Sequence, residues 1–272
     1  LRDLWPDVPI GIGYLTNPLL IKLSYWFEKM IYKNSIHIVA CSSGMRECIL
    51  EKFPYPDKID VITNLAKNDI FYSRHKDGNL AQKYGINLSR FNAIHFGTLG
   101  FVNAIDYVID GFAELSKMNE EGFGLILLGK GKEKTNLMSK CEKLGLKNVI
   151  FIDPLPMKQV SEIVNLSDVS LVTVANYKVL WNHSANKLFE SFSAQKPIII
   201  NSKGWIFDFI NKYKCGLYVD PDSPISLAKA LINLNNDRQY CEELGENSRL
   251  VAEKYFDKNI LAEKFVNIFN SV

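Results

Sequence analysis

Short apolar runs alternate with longer amphipathic segments between residues 91 and 235. The runs rich in Ile, Val, Leu and Phe predict strands at Ala93–Phe96, Gly124–Leu128, Val149–Ile152, Val169–Val174, Pro197–Ile200 and Gly216–Val219. The amphipathic segments predict helices at Ala104–Met118, Glu133–Leu144, Met157–Leu166, Ala185–Ala194, Ile206–Tyr213 and Pro224–Leu234. The strand runs lack clean polar alternation, which is typical of strands covered on both faces. This order predicts an α/β fold with right-handed crossovers and a doubly wound parallel sheet.

The same alternation is thinner before residue 91 and stops after residue 235. Residues 1–70 predict a partial unit of the same kind, with helices Leu19–Lys33 and Gly44–Phe53 and strands Ile36–Ala40 and Ile59–Thr63. Residues 71–90 are polar and carry turn signals at residues 77–78 and 84–85, so we expect a hinge or linker there. The last segment, residues 236–272, predicts helices Arg238–Lys254 and Lys258–Phe269.

Charge and cysteine content limit the function classes. The 272 residues include 32 Lys and Arg and 30 Asp and Glu, which gives a formal net charge of +2. No strong field favours nucleic acid, and we therefore predict no nucleic-acid partner. The 5 cysteines are widely spread without a C-x-x-C pair, which indicates reduced thiols in a cytoplasmic protein. No apolar run approaches the roughly 18 residues of a membrane span.

Two glycine-containing turns follow predicted strands. They are Gly97-Thr98-Leu99-Gly100 and Gly129-Lys130-Gly131-Lys132. Ligands of open parallel sheets bind beyond the carboxyl ends of the strands, where glycine lets the backbone approach an anion closely. Neither turn has the full G-x-G-x-x-G fingerprint, so each alone is a weak indicator of a ligand site.

A third turn carries more chemistry. Ser184 is placed to cap a helix whose first turns present Asn186, Lys187 and Glu190 on one face. A carboxylate there can accept hydrogen bonds from hydroxyl groups, while the lysine and the helix amides neutralise phosphate. The alternative is an ordinary surface ion pair between Lys187 and Glu190, and the residues alone leave both open.

Other polar residues have simpler interpretations. His95 lies within a predicted strand and is expected to be a core histidine, whereas His183 flanks the third turn and has either a ligand or a structural role. Asp220 and Asp222 suggest a metal pair, but Asp222 and Ser223 directly before a proline are typical of a helix start. We predict no metal site.

Short motifs occur along the chain in the order of a known family. They are Arg-Asp at 2–3, Val-Ile-Thr-Asn at 61–64, Gly-Thr-Leu at 97–99, Leu-Leu-Gly-Lys-Gly at 127–131, Asn-Val-Ile-Phe at 148–151, and residues 182–197, which are similar to an E-x7-E region followed by A-x-G-K-P. Together they resemble glycosyltransferase family 4, the retaining GT-B transferases that use nucleotide-sugar donors. Within that family the chain is most similar to the subgroup that makes bacterial surface polysaccharides.

The chain departs from the family pattern at charged positions. Asn182 replaces the first Glu of E-x7-E, and Glu190 keeps the second. The family's diphosphate-binding Arg and Lys would fall at Thr98 and Asn103. The subgroup tolerates this pattern through S-x-N-K, here residues 184–187, so we expect Lys187 to supply part of the missing charge.

The resemblance implies the roles of individual residues. It implies transfer of a hexosyl group from a nucleotide-sugar, a UDP-linked one, with retention and with neither metal nor cofactor. The implied donor-binding residues are Gly97, Thr98, Pro154, Leu155, Ser184, Ala185, Asn186, Lys187 and Glu190. Glu190 would bind the ribose hydroxyls, residues 184–187 the diphosphate and residues 154–155 the base. Arg2 and Asp3 are the implied catalytic residues, facing the acceptor and the sugar.

The resemblance also implies a domain plan and an acceptor. Residues 1–70 would be part of an acceptor domain that lacks roughly 120 preceding residues, residues 71–90 a hinge, residues 91–235 the donor domain, and residues 236–272 helices that pack back on the acceptor domain. The acceptor would be a saccharide or a lipid-linked saccharide, at the cytoplasmic face of the inner membrane. The helix over residues 18–32 suits peripheral membrane contact, although packing in a core explains it equally and is the interpretation we favour.

Two other functions fit the same resemblance. A UDP-sugar 2-epimerase shares the GT-B fold, and a nucleotide-binding module without catalysis would need only the donor half.

Overall fold

Strands and helices alternate through residues 1–271, the part of the chain that the computed structural model describes. The strands are β1 (Ile38–Ala40), β2 (Ile59–Val61), β3 (Phe91–Phe96), β4 (Phe123–Leu128), β5 (Val149–Ile152), β6 (Val169–Val172), β7 (Ile198–Ile200) and β8 (Gly216–Tyr218). The helices are α1 (Asp7–Gly11), α2 (Pro18–Asn34), α3 (Ser43–Lys52), α4 (Gly78–Tyr84), α5 (Ile105–Lys117), α6 (Lys134–Lys143), α7 (Met157–Asn165), α8 (Asn186–Ser193), α9 (Trp205–Tyr213), α10 (Pro224–Asn236), α11 (Arg238–Tyr255) and α12 (Lys258–Ser271).

The larger sheet has the order β5-β4-β3-β6-β7-β8, and its strands are paired in parallel. This confirms the predicted α/β fold with a doubly wound parallel sheet. From β3 the strand order runs outward to β4 and β5 on one side, and from β6 it runs outward to β7 and β8 on the other, so the order reverses between β3 and β6. Such a reversal opens a crevice at the carboxyl ends of the two strands, where open α/β sheets bind ligands.

Helices cover both faces of this sheet, which is why its central strands are apolar throughout. Each residue of β3, β4, β6 and β7 is buried. On one face, Phe112 of α5 and Leu231 of α10 belong to a core that also contains Leu125. On the other face, Phe189 and Phe192 of α8 pack into a second core. Helix α8 is thereby fixed against the sheet beside the crevice.

The smaller sheet, β1 and β2, has a core of its own that includes Ile38, Ile49 and Ile59. Helix α2 contributes little to it. Its buried residues are Glu28 and Tyr32, whose hydroxyl donates to the Glu28 carboxylate at 2.9 Å. Its large apolar side chains are exposed instead, namely Leu19, Leu20, Leu23, Tyr25, Trp26, Phe27, Met30 and Ile31. The core-packing interpretation of this helix is therefore wrong for the described residues.

Residues 71–90, which were expected to form a hinge or linker, contain regular structure. They include helix α4, which Asp77 caps by accepting hydrogen bonds from the backbone amides of residues 79 and 80 at 2.9 and 3.1 Å. The helix ends at Gly85, in the left-handed conformation with φ of 69°. Phe71 and Ala81 pack into a core with Ile94 and Ile126 of the larger sheet. The two predicted turns are thus the two ends of a short helix.

The C-terminal residues, which were expected to pack on the first 70 residues, contact both parts of the chain. Helix α11 packs on α8 and α10, and its buried residues are Cys241, Leu244, Gly245, Ser248, Val251 and Ala252. The residues that follow α11 contact the 64–69 segment. The Ala66 amide donates to the Phe256 carbonyl at 2.7 Å, and the Lys258 ammonium pairs with Asp69 at 2.9 Å.

None of the helices in residues 1–271 is both long enough and apolar enough to span a membrane.

Candidate functional site

The two glycine turns lock together at the carboxyl ends of β3 and β4. The Gly97 amide donates to the Leu128 carbonyl at 2.9 Å, and the Leu99 amide donates to the Lys130 carbonyl at 2.9 Å. A Cβ on Gly129, whose φ is +143°, would lie 1.8 Å from the Gly97 carbonyl oxygen. Glycine is required at 129 because of this contact between the loops. The sequence had suggested only that glycine admits an anion.

These turns border a cavity of about 430 Å³. It is lined by Phe71, Phe96, Gly97, Thr98, Leu128, Gly129, Lys130, Pro154, Leu155, Met157, Val160 and Glu190. Most of these residues are apolar, and the lining also includes Glu190. The structure therefore brings together five predicted donor-binding residues that lie far apart in sequence.

Glu190 does not pair with Lys187. Its carboxylate oxygen Oε1 accepts a hydrogen bond from the ammonium of Lys67 at 2.6 Å. The simple surface ion pair between Lys187 and Glu190 is therefore wrong. Sequence reasoning missed Lys67, because a lysine in a polar segment 123 positions before its partner gives no local signal.

A second cavity, of about 370 Å³, lies beside the first. Its lining contains the other predicted residues Arg2, Asp3, Ser184, Ala185 and Lys187, together with His183. Lys187, which lines the second cavity, lies against Gly97, which lines the first. A Cβ built on Gly97 would lie 3.6 Å from the Lys187 side-chain carbon Cε. Helix α8 thus faces both cavities, with Lys187 in one and Glu190 in the other.

The Lys187 ammonium is buried without an ion-pair partner among the described residues. It donates to the Asn103 side-chain oxygen at 2.7 Å and lies 3.4 Å from His95 Nε2. Burial lowers the pKa of Lys187 to about 7, and the nearby Glu190 charge offsets this only in part. An anion in the second cavity would supply the charge that the protein does not.

Further polar atoms in this region lack partners. His183 Nε2, Ser184 Oγ and His95 Nδ1 are buried without a hydrogen bond among residues 1–271. Burial is the main reason that the pKa of His183 falls to about 4 and the pKa of His95 lies well below its usual value. Buried polar atoms are nearly always hydrogen-bonded in native proteins. Of these residues, His183 and Ser184 line the second cavity, where a polar ligand could supply the missing hydrogen bonds.

The start of α8 differs from the predicted cap. Ala185 is the N-cap residue and has no side chain that can cap the helix, while the Ser184 hydroxyl makes no capping bond. Instead the Ser184 carbonyl accepts a hydrogen bond from the Asn64 side chain at 2.6 Å. Asn186 is exposed and lines neither cavity. The capping expectation for Ser184 is therefore wrong, although its place beside the second cavity is as expected.

Asn182, which replaces the first Glu of the E-x7-E pattern, contacts the smaller unit. Its backbone carbonyl accepts a hydrogen bond from the Ser42 hydroxyl at 2.9 Å, and its side-chain nitrogen Nδ2 donates to the Cys48 sulfur at 3.4 Å. A Cβ on Gly44 would lie 2.0 Å from its side-chain oxygen. Asn182 therefore joins the two units rather than lining the cavities.

The Asp220 and Asp222 pair forms a turn before a helix. The Asp220 carboxylate accepts from the Asp222 amide at 3.0 Å, and the Asn176 side chain donates to Asp222 at 2.8 Å. Helix α10 then begins at Pro224, as predicted from the sequence. Within residues 1–271 no group of three His, Cys, Asp or Glu side chains is arranged to hold a metal ion.

Comparison with known proteins identifies the family. The sequence profile described as Glycosyl transferases group 1 matches residues 77–251. The chain belongs to this family. An uncharacterized glycosyltransferase of Methanocaldococcus jannaschii is 23% identical over 254 residues, which are 91% of this chain and 63% of that protein. The O-antigen chain mannosyltransferase C of Escherichia coli is 23% identical over 250 residues, 89% of this chain and 60% of that protein.

Solved structures give the same fold. Anabaena HepE, in a crystal structure with UDP and glucose, matches 87% of this chain and 63% of its own with a TM-score of 0.76 and 18% sequence identity. The larger sheet is thus the GT-B type that the resemblance implied. At 63% and 60%, the chain spans less than two thirds of the length of the curated relatives described above.

Proposed function

We propose that this group 1 glycosyltransferase chain binds a nucleotide-sugar across the two adjoining cavities and belongs to a protein that transfers the hexosyl group. The observation that carries the proposal is the arrangement of helix α8. It presents the Glu190 carboxylate to the first cavity and the unpaired Lys187 ammonium to the second. A nucleoside diphosphate has hydroxyl groups to meet the carboxylate and negative charge to meet the ammonium.

The base and ribose would occupy the first cavity. Leu155, Met157, Val160 and Phe71 provide apolar surface for a flat base. The second oxygen of Glu190, Oε2, remains to accept hydrogen bonds from ribose hydroxyls, because Lys67 donates to Oε1. Hydrogen bonds to a charged group are the stronger ones. We propose a UDP-sugar as the donor, in line with the UDP bound to the Anabaena relative.

The diphosphate and sugar would occupy the second cavity. The Lys187 ammonium would neutralise the diphosphate. Gly97, which lies against the Lys187 side chain, would let the diphosphate approach the backbone, and Thr98 would lie beside it in the lining of the first cavity. Transfer breaks the bond between the anomeric carbon and the diphosphate, which leaves with the electron pair. A bond to the acceptor hydroxyl oxygen replaces it on the same face, and the hydroxyl proton is released. Stabilising charge on the leaving group is the largest catalytic contribution in such sites.

Arg2 and Asp3 also line the second cavity, and both are exposed. We propose that they face the sugar and the acceptor hydroxyl, with retention of configuration and without a metal ion. A saccharide acceptor in polysaccharide synthesis agrees with the O-antigen relative.

A lipid-linked acceptor would require contact with a membrane surface. The exposed apolar residues of α2, including Leu23 and Trp26, lie on a helix that also carries Lys22, Lys29 and Lys33. Apolar side chains beside lysines favour an anionic lipid surface. The chain should therefore float with vesicles that contain phosphatidylglycerol, and Trp26→Ser with Leu23→Ser should reduce flotation. Equal flotation of the double variant would contradict this contact.

Calorimetric titration with UDP, UDP-glucose, GDP and ADP tests the binding step, and transfer of labelled sugar to a lipid-linked saccharide tests the reaction. Labelled lipid product supports the transferase. An epimerised sugar in solution would favour a 2-epimerase, and binding with no conversion would favour a nucleotide-binding module. If no nucleotide binds, the whole proposal fails.

A further inference from the structure

Lys67 holds the Glu190 carboxylate from outside the helix that carries it. The distance between the Lys67 ammonium and Glu190 Oε1 is 2.6 Å, and both side chains are largely buried, with 25% and 12% of their surfaces exposed. An ion pair that is shielded from water interacts more strongly than one on the open surface. Within residues 1–271, the hydrogen bond that the Glu190 carboxylate accepts comes from the Lys67 ammonium.

The backbone around Lys67 is fixed independently of this ion pair. The Asn64 side chain donates to the Ser184 carbonyl at 2.6 Å, immediately before α8. On the other side, the Ala66 amide donates to the Phe256 carbonyl at 2.7 Å, and the Asn68 side chain donates to Asp257 at 3.2 Å. The 64–69 segment is therefore anchored on both sides of Lys67, and the lysine reaches Glu190 from a defined position.

We propose that Lys67 is a positioning residue, which aligns the Glu190 carboxylate for the ribose hydroxyls of the donor. An ionised carboxylate has about four acceptor sites on its two oxygens. The lysine occupies a site on Oε1 and leaves the acceptor sites of Oε2, and Glu190 lines the first cavity, so lysine and ribose can be bound together. This inference rests on the proposed function, since it assigns Lys67 to the same nucleotide site.

Lys67 also connects the part of the chain that carries the smaller sheet with the part that carries the larger sheet. Lys67 follows β2 of the smaller sheet within the 64–69 segment, whereas Glu190 belongs to a helix of the larger sheet. The geometry of the carboxylate therefore depends on how the 64–69 segment lies against α8. A displacement of that segment would therefore alter recognition of the ribose.

The test compares UDP with 2′-deoxy-UDP, because the ratio of their dissociation constants reports the ribose contact alone. We expect the native chain to prefer UDP by about tenfold, as one charge-assisted hydrogen bond allows. Lys67→Met should reduce this preference to less than about threefold, and Lys67→Arg should keep most of it. Lys67→Gln replaces Lys67→Met if the latter aggregates.

Lys140→Met is the matched control, since Lys140 has a similarly exposed side chain and pairs with Asp106 and Asp110, and none of these three residues lines either cavity. It should leave the preference unchanged. A native preference in Lys67→Met would overturn the positioning role, and tighter UDP binding by that variant would make Lys67 a competitor of ribose. If the native chain shows no preference, or if Glu190→Gln keeps it, the assignment of Glu190 to ribose fails and the role of Lys67 fails with it. Loss of preference in Glu190→Gln but not in Lys67→Met overturns the inference alone.

Discussion

The Lys187 ammonium donates a 2.7 Å hydrogen bond to the side chain of Asn103. In the family pattern position 103 itself would carry a lysine. Here an ammonium from α8 instead contacts the side chain at that position, in line with the proposal that Lys187 supplies this charge. A buried ammonium without a carboxylate partner is costly. A diphosphate at this point would remove that cost.

Binding of UDP-glucose should weaken as the pH rises. The pKa of free Lys187 is about 7, so the ammonium that meets the diphosphate is lost above that pH. Binding then requires uptake of a proton, and the dissociation constant should increase about tenfold between roughly pH 6 and pH 8. His183 and His95 stay neutral in this range because burial lowers the pKa of each.

Calorimetry at several pH values measures this dependence, and buffers of different ionisation enthalpy count the protons. UDP-glucose is the right probe because its diphosphate has no second ionisation near neutral pH. Lys187→Met should bind weakly with a flat profile. A pH dependence that persists in Lys187→Met would assign the titration to another group.

Glu190→Gln should weaken UDP binding by about tenfold, because the ribose hydroxyls lose a charged acceptor. Asp222→Ala is the control, since Asp222 belongs to the turn before α10 and lines neither cavity. Its affinity for UDP should equal that of the native chain. Equal affinities for the native chain and Glu190→Gln would refute the ribose assignment.

Gly129→Ala should destabilise the larger unit by about 3 kcal/mol, because its Cβ would collide with the Gly97 carbonyl and its φ of +143° disfavours a side chain. The thermal midpoint should fall by roughly 6–12 °C. Gly122→Ala, where a Cβ meets nothing within 4 Å, should change it little. A native-like midpoint for Gly129→Ala would show that the two turns separate readily.

EDTA should leave both the affinity for UDP-glucose and sugar transfer unchanged, because Lys187 and helix α8 are proposed to provide the charge that a metal ion would otherwise supply. Titration before and after dialysis against the chelator measures the first, and labelled transfer the second. Activity that is lost with EDTA and returns with Mn²⁺ would reopen the Asp220 and Asp222 pair as ligands.

The sequence predicted the larger sheet well, because its strands are continuous apolar runs and its helices have clear amphipathic faces. It failed where one local signal has two structural meanings. Asp77-Gly78 and Tyr84-Gly85 are turn signals, yet Asp77 caps a helix and Gly85 ends it. Helix α1 was missed for a different reason, since its 5 residues are too few to show a helical period.

The candidate site was predicted in its residues but not in its pairings. Lys187 and Glu190 are three positions apart, and this spacing suggested an ion pair. In the structure they point to different cavities, and Glu190 takes Lys67 as its partner. Ion-pair partners depend on which side chains tertiary packing brings together, and a local sequence pattern does not contain that information.

The locked glycine turns have a consequence for ligand exchange. Neither turn can move outward without breaking the hydrogen bonds that join it to the other turn. The two turns should therefore move together as one rigid border of the first cavity. Nucleotide exchange should then depend on the parts of the site outside these turns, which include residues 2–3 in the second cavity and Lys67 beside Glu190. Substitutions there, rather than in the turns, should change the rate of product release.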